Sequence, residues 1–88
     1  LDVPLSLTVE FVFPRPEYMI WKKKPMPREP KCTKPDFDNL AKSVCDALNG
    51  LLWRDDSLIC EAKITKWIAS GEEQPHVYIS VEPIGIRY

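Results

Sequence analysis

The sequence predicts a small α/β domain, in which one helix packs on one face of a small mixed β-sheet in the order β-loop-α-β-β. Three observations support this class: an alternating apolar run near the start, a stretch with helical spacing in the middle, and two strand-like runs after it. With 88 residues, the chain is long enough for one domain with one modest core.

The first strand is predicted at residues 5–13, LSLTVEFVF, where every second position from Leu5 to Phe13 is apolar. This period of two is typical of a strand with one buried face. The helix is predicted over residues 37–52, because apolar residues recur there at spacings of three and four. Asn49-Gly50 indicates a turn or fraying near its end.

Residues 58–68 and 76–82 are predicted to be two further strands, with a turn signal between them at residues 71–75. We expect these two strands to pair as an antiparallel hairpin. The alternation in the last strand predicts that Val77, Ile79 and Val81 face inward.

Residues 14–35 are predicted to form a basic, proline-rich loop. Six of the nine prolines lie there, which forbids a helix or an inner strand. From Arg15 to Lys34 there are seven basic and two acidic residues, whereas the remaining segments have five basic and eleven acidic residues. This asymmetry predicts a polyanionic partner beside a cation site. The predicted nucleic-acid contacts are Lys22, Lys23, Lys24, Arg28, Lys31 and Lys34.

The three cysteines are odd in number and form no C-x-x-C pair, which argues against disulfides and a structural zinc site. We expect reduced thiols in a cytoplasmic protein, with Cys45 and Cys60 buried. No apolar run reaches the roughly 18–20 residues that span a bilayer, so we expect no membrane partner. The start at Leu1 suggests a piece of a longer polypeptide.

Five aspartates lie at and around the predicted helix: Asp36, Asp38, Asp46, Asp55 and Asp56. Clustered carboxylates repel one another unless a cation compensates their charge. Mg²⁺ prefers such oxygen ligands, and Mn²⁺ substitutes for it by the same ligand logic. Magnesium is therefore the expected cofactor.

A helix of this predicted length separates the two groups of acids by about 24 Å, too far for one shared site. Two arrangements remain open at this point. The segment Trp53–Asp56 folds back along a shorter helix that ends near Leu48, or a dimer brings one copy's acids beside those of the other.

Each of these residues also has a simpler interpretation. Asp36 or Asp38 alone is more often an N-cap, and Asp55-Asp56 alone is more often a turn. Lys42, four residues after Asp38, is usually part of a solvated helix face, although it could also stabilise charge on a phosphate. A lysine run is usually a solvated loop. The combination of all four features favours a functional site.

The segment KPDFDNLAKSVCDALNGLLWRDDSLI resembles the signature of RusA-type Holliday-junction resolvases: PD-x-DN-L-x-K, then DALNG, then DD before an apolar strand. The preceding PLSLTVEFVFPRP also resembles the strand and loop of that family. The resemblance covers roughly residues 4 to 65, and we identify the chain as a RusA-like domain on these motifs.

The resemblance implies a dimeric, Mg²⁺-dependent endonuclease, often encoded by phages and prophages, that resolves four-way DNA junctions by paired symmetric nicks in recombination and repair. It implies that Asp36, Asp38 and Asp56 hold the metal with Asp55 beside them, and that Lys42 assists at the scissile phosphate. Family members usually have a further N-terminal strand and basic segment, which this chain is expected to lack.

Two other interpretations stay open. A non-catalytic DNA-binding module with the same fold predicts salt-sensitive binding without metal-dependent products. A protein-interaction domain, whose acids are only caps and turns, predicts affinity for neither Mg²⁺ nor DNA.

Overall fold

The computed structural model describes residues 3–85, and within that range the chain forms a four-stranded mixed sheet and one α-helix. The prediction of a small mixed α/β fold is confirmed. The elements are β1 (Leu5–Phe13), β2 (Glu29–Pro30), α1 (Phe37–Leu48), β3 (Ile59–Ile68) and β4 (His76–Pro83), with single 3₁₀ turns at Glu17–Met19 and Asp56–Leu58.

The strand order β2-β3-β1-β4 shows that the predicted hairpin is wrong. β3 pairs with β1 in parallel, and β4 pairs with the opposite edge of β1 in antiparallel orientation. Val9 is therefore flanked by Ile64 on one side and Ile79 on the other. The physical reason is that β1 is the most apolar strand and gains burial by taking the central position. α1 supplies the crossover that a parallel pair requires.

The core lies between β1 and α1. Its buried members are Leu5, Leu7, Val9, Val44 and Trp53. Val44 is the one fully buried residue of α1, so the helix contributes a narrow apolar stripe while its other faces stay solvated.

The helix ends at Leu48, four residues before its predicted end. Asn49 has extended backbone angles, and Gly50 has φ +81°, a left-handed conformation that favours glycine. The Gly50 amide donates to the carbonyl of Trp53 over 2.7 Å. This tight turn reverses the chain after α1, so that the Trp53 side chain packs in the core.

Two burial predictions need correction. Val77 and Ile79 are 52% and 39% exposed although they occupy the core side of β4, because α1 packs over β3 and leaves that edge open. Val81 packs partly against the core. Cys60 is exposed, because a register shift between Leu5 and Ser6 leaves it without a partner on β1. Cys45 is half-buried.

Residues 14–35 contain little regular structure, as their proline content predicts. Its one 3₁₀ turn follows Pro16, and its two-residue strand β2 lies at the sheet edge, where proline is tolerated. Among the described residues 3–85, no helix is long and apolar enough to cross a membrane.

Candidate active site

The first group of acids lies where the loop enters α1. Asp36 is the N-cap residue, yet its side chain makes no capping hydrogen bond. Asp38 lies in the first turn and is exposed. The helix N-terminus favours negative charge at both positions. The Asp36 carboxylate is therefore not used for capping and can serve as a ligand.

Lys66 fixes the backbone that leads into these acids. Its ammonium donates to the carbonyls of Thr33 and Pro35, each over 2.8 Å. Because Lys66 lies on β3, these bonds tie the residue before Asp36 to the sheet. Sequence analysis missed this role. One signal was available in the sequence. Alternation along β3 places Lys66 on the face of the sheet that α1 covers, where a lysine is unusual.

The second group of acids follows the turn after α1. Trp53 is 1% exposed, and its indole N–H donates to Oδ1 of Asp56 over 2.7 Å. The buried ring therefore orients this carboxylate. Asp55 accepts a hydrogen bond from the backbone amide of Ser57 over 3.2 Å, the local turn interaction expected of such a residue. The orienting role of Trp53 was also missed.

Asp56 belongs to the segment that follows the tight turn at the end of α1. Burial raises the pKa of the Cys45 thiol, and the negative charges of Asp56 and Asp46 raise it further. Trp53 packs in the same core cluster as Val44 of α1 and bonds to Asp56, which brings this part of the chain back toward the helix. The segment after the helix does fold back, as one of the two predicted arrangements requires.

The two groups nevertheless remain apart within one chain. Asp36 and Asp38 lie at the start of α1, whereas Asp56 lies in the 3₁₀ turn that follows its end. Within residues 3–85, no three acidic, histidine or cysteine side chains lie together closely enough to hold a metal ion. Lys42 is exposed on the helix surface one turn after Asp38.

The predicted nucleic-acid contacts differ in how exposed their side chains are. Lys22, Lys23, Lys24 and Lys34 are exposed. Lys31 donates to the Thr33 hydroxyl over 2.9 Å and lies 5.1 Å from the ring centre of Phe13. These contacts leave Lys31 half-exposed.

Arg28 pairs with two acids and so has a structural role. Its guanidinium donates to Glu73 through two nitrogens and lies 3.7 Å from a carboxylate oxygen of Glu10. The hydrogen bonds from Arg28 and from the Ser70 amide lower the pKa of Glu73 to about 2. The contact of Arg28 with DNA stays a prediction.

Comparison with known proteins decides the family. The model of the family described as endodeoxyribonuclease RusA matches residues 1–82. The chain belongs to the RusA endodeoxyribonuclease family. The resemblance predicted from the acidic motif is thereby confirmed.

Among curated proteins, this RusA family member is similar to "Uncharacterized protein YqaN" of Bacillus subtilis (strain 168). The two are 34% identical over 86 residues, which cover 92% of this chain and 58% of YqaN. The chain thus spans less than two thirds of that relative. No solved structure matches the chain significantly.

The RusA motif falls on both ends of α1. Its first part, PDFDNLAK, spans the helix entry and the first turns, and its last part, the DD pair, spans the start of the 3₁₀ turn before β3. Two residues that are not among the acids of the motif hold these ends in place. Lys66 holds the helix entry, and Trp53 holds the segment after the helix.

Proposed function

We propose that this chain is the nuclease domain of a Mg²⁺-dependent endodeoxyribonuclease, which resolves four-way DNA junctions by paired symmetric nicks in recombination and repair. The observation that carries the proposal is the RusA family match over residues 1–82. The acids of the matching motif supply the chemistry that hydrolysis of a phosphodiester requires.

The chemistry of the acidic side chains fits magnesium. All four proposed ligands, Asp36, Asp38, Asp55 and Asp56, are carboxylates, the donors that Mg²⁺ and Mn²⁺ prefer. Asp36 makes no capping bond, and Asp56 accepts the Trp53 indole hydrogen bond at Oδ1. The bound ion supplies charge neutralisation and a polarised water at the phosphodiester.

The chain's own side chains then have separate tasks. Lys42 extends into solvent from the turn after Asp38, where its ammonium can neutralise charge on the scissile phosphate. Trp53 holds the Asp56 carboxylate in one orientation. The exposed lysines Lys22, Lys23, Lys24 and Lys34 bind phosphates without reading sequence.

The separation of the acids leads us to propose a homodimer in which the two copies share sites. In each site, Asp36 and Asp38 of one copy meet the partner subunit's Asp56. In favour, one chain places Asp36 and Asp38 at the entry of α1 and Asp56 in the 3₁₀ turn that follows its end. A two-fold dimer also suits a two-fold junction, because symmetry presents one site to each of two strands.

The test is cleavage of a synthetic four-way junction and a matched linear duplex, with and without Mg²⁺. We expect wild type to nick the junction in pairs only with the metal. Asp38→Asn should reduce nicking at least about a hundredfold while junction binding persists, because it removes a ligand and not a phosphate contact. Asp46→Asn, two helical turns further along α1, is the matched control and should cleave like wild type.

A second candidate function is a non-catalytic DNA-binding module. The observation that favours it is the set of exposed lysines Lys22, Lys23, Lys24 and Lys34, which can bind phosphates without a metal. Salt-sensitive junction binding by wild type, with no nicks at any Mg²⁺ or Mn²⁺ concentration, would establish the module and refute the nuclease. Nicking that survives Asp38→Asn would refute the metal assignment alone.

A further inference from the structure

Arg15 is the most deeply buried charged side chain of the basic loop. Only 4% of its side chain is exposed, at the start of a segment whose lysines are solvated. Its guanidinium donates to three backbone carbonyls: Met19 over 2.7 Å, Pro27 over 3.0 Å and Ala69 over 3.2 Å. It also donates to the Glu29 carboxylate over 2.9 Å. A buried charge with this many partners is fully engaged and cannot contact DNA.

The partners of Arg15 come from every part of the loop's base. Met19 ends the 3₁₀ turn, Pro27 lies before β2, and Ala69 follows β3. Glu29 belongs to β2 itself. One guanidinium thus connects the first part of the loop to its last part, and both parts to the end of the sheet.

Trp21 extends this anchorage to the lysines. The Arg15 guanidinium lies 4.8 Å from the Trp21 ring centre, and the Lys24 ammonium lies 5.6 Å from it. The Trp21 amide donates to the sulfur of Met26 over 3.2 Å. The bend Lys22–Lys24 lies between Trp21 and Met26, and we call it the lysine turn.

The far side of the lysine turn has its own contact with the sheet. The Gly71 amide donates to the Met26 carbonyl over 2.9 Å, and the Met26 side chain packs so closely on Gly71 that a β-carbon there would lie 2.4 Å from its methyl. Both ends of the turn are therefore held, one through Arg15 and Trp21 and the other through Met26.

We propose that Arg15 is a positioning residue, which holds the lysine turn as a preformed phosphate-binding loop. Its DNA role rests on the function proposed above. A preformed loop binds without the loss of conformational entropy that ordering a free loop requires. Lysine cannot replace Arg15, because an ammonium has no planar face for Trp21 and no fork for four acceptors.

The order of the loop can be tested without DNA. Limited trypsin digestion with mass spectrometry reports how fast the chain is cut at Lys22, Lys23 and Lys24. We expect Arg15→Lys to speed this cleavage by about fivefold or more, since proteolysis follows the population of the open loop. Trp21→Leu, which leaves the hydrogen bonds of Arg15 in place, should also speed it.

Lys63→Gln is the matched control, because Lys63 is an exposed residue of β3 outside the loop. Its digestion should match that of wild type. Circular dichroism establishes that each variant keeps its fold. If Arg15→Lys does not fold, Trp21→Leu decides the proposal alone. Wild-type cleavage rates in the folded loop variants would overturn it.

The DNA part of the proposal is tested by junction binding across a range of salt concentrations. Arg15→Lys keeps the net charge, so we expect roughly tenfold weaker binding with the wild-type salt dependence. Lys24→Gln should instead lower the slope of log K against log salt by about one. If Arg15→Lys loosens the loop but binds the junction with wild-type affinity, the proposed link between loop order and DNA binding is overturned. Absence of wild-type binding would refute the proposed function, while digestion still decides the role of Arg15.

Discussion

Asp56 and Glu73 show how single side chains acquire their properties from neighbours that the sequence motif does not include. The Asp56 carboxylate is oriented by the buried indole of Trp53, and the Glu73 carboxylate is held ionised by Arg28. The aspartates could be predicted as candidates because they stand in a recognisable motif. Arg15 could not, because most of its partners are distant in sequence and are brought together only by the tertiary fold. The role of Trp53 could not, because its bond to Asp56 depends on the turn between them and on burial of the ring in the core.

Trp53→Phe tests the orienting hydrogen bond. Phenylalanine keeps an aromatic ring in the core but cannot donate to Asp56. We expect junction cleavage to fall about tenfold, with a loss of about 1–2 kcal/mol in the free energy of unfolding. Trp67→Phe is the control, since its indole donates to Thr65, away from the acids. Equal cleavage by Trp53→Phe and wild type would remove Trp53 from the site.

Glu73 makes stability depend on pH in the acid range. Its pKa falls from an ordinary 4.5 to about 2 on folding, so the unfolded chain binds a proton more readily than the folded chain. The stabilisation is therefore fully present above pH 4.5 and is lost as the pH falls from 4.5 to about 2. Thermal unfolding of Glu73→Gln should show a weaker decline over this range than wild type. A parallel decline in both proteins would contradict the assignment.

At the scale of elements, α1 and the strands it connects set the positions of the acids. The helix, both long strands after it and the loop were predictable, because period and proline content are local signals. The helix end was not, because Leu51 and Leu52 continue the helical spacing while Gly50 and the burial of Trp53 end the helix at Leu48. The pairing of β3 and β4 with β1 was equally hidden, because no local signal separates a hairpin from two strands that flank a third.

Lys66 offers a test of how the entry to α1 is held. Lys66→Met removes the bonds to the carbonyls of Thr33 and Pro35, and we expect a loss of about 1–2 kcal/mol of stability. Amide hydrogen exchange in the first turn of α1 should accelerate, because the segment before Asp36 is released. Lys63→Met, on the same strand, should change neither quantity. Unchanged exchange in Lys66→Met would show that the helix entry is held by other contacts.

At the scale of the whole molecule, the parallel crossover from β1 through α1 to β3 explains why the acids stand at two ends of one helix. The chain enters α1 beside Asp36 and Asp38, and it leaves toward β3 through Asp56. We propose that a second copy reunites the groups.

The most direct measurement of this claim mixes two inactive variants. Asp38→Asn and Asp56→Asn are each assayed alone on a four-way junction with Mg²⁺, and then together after subunit exchange. Sites shared between copies predict that each mixed dimer regains one intact site, with about a quarter of wild-type sites restored and single nicks dominating. A mixture as inactive as either variant alone, with subunit exchange verified by mass spectrometry, would show that each copy builds its own site.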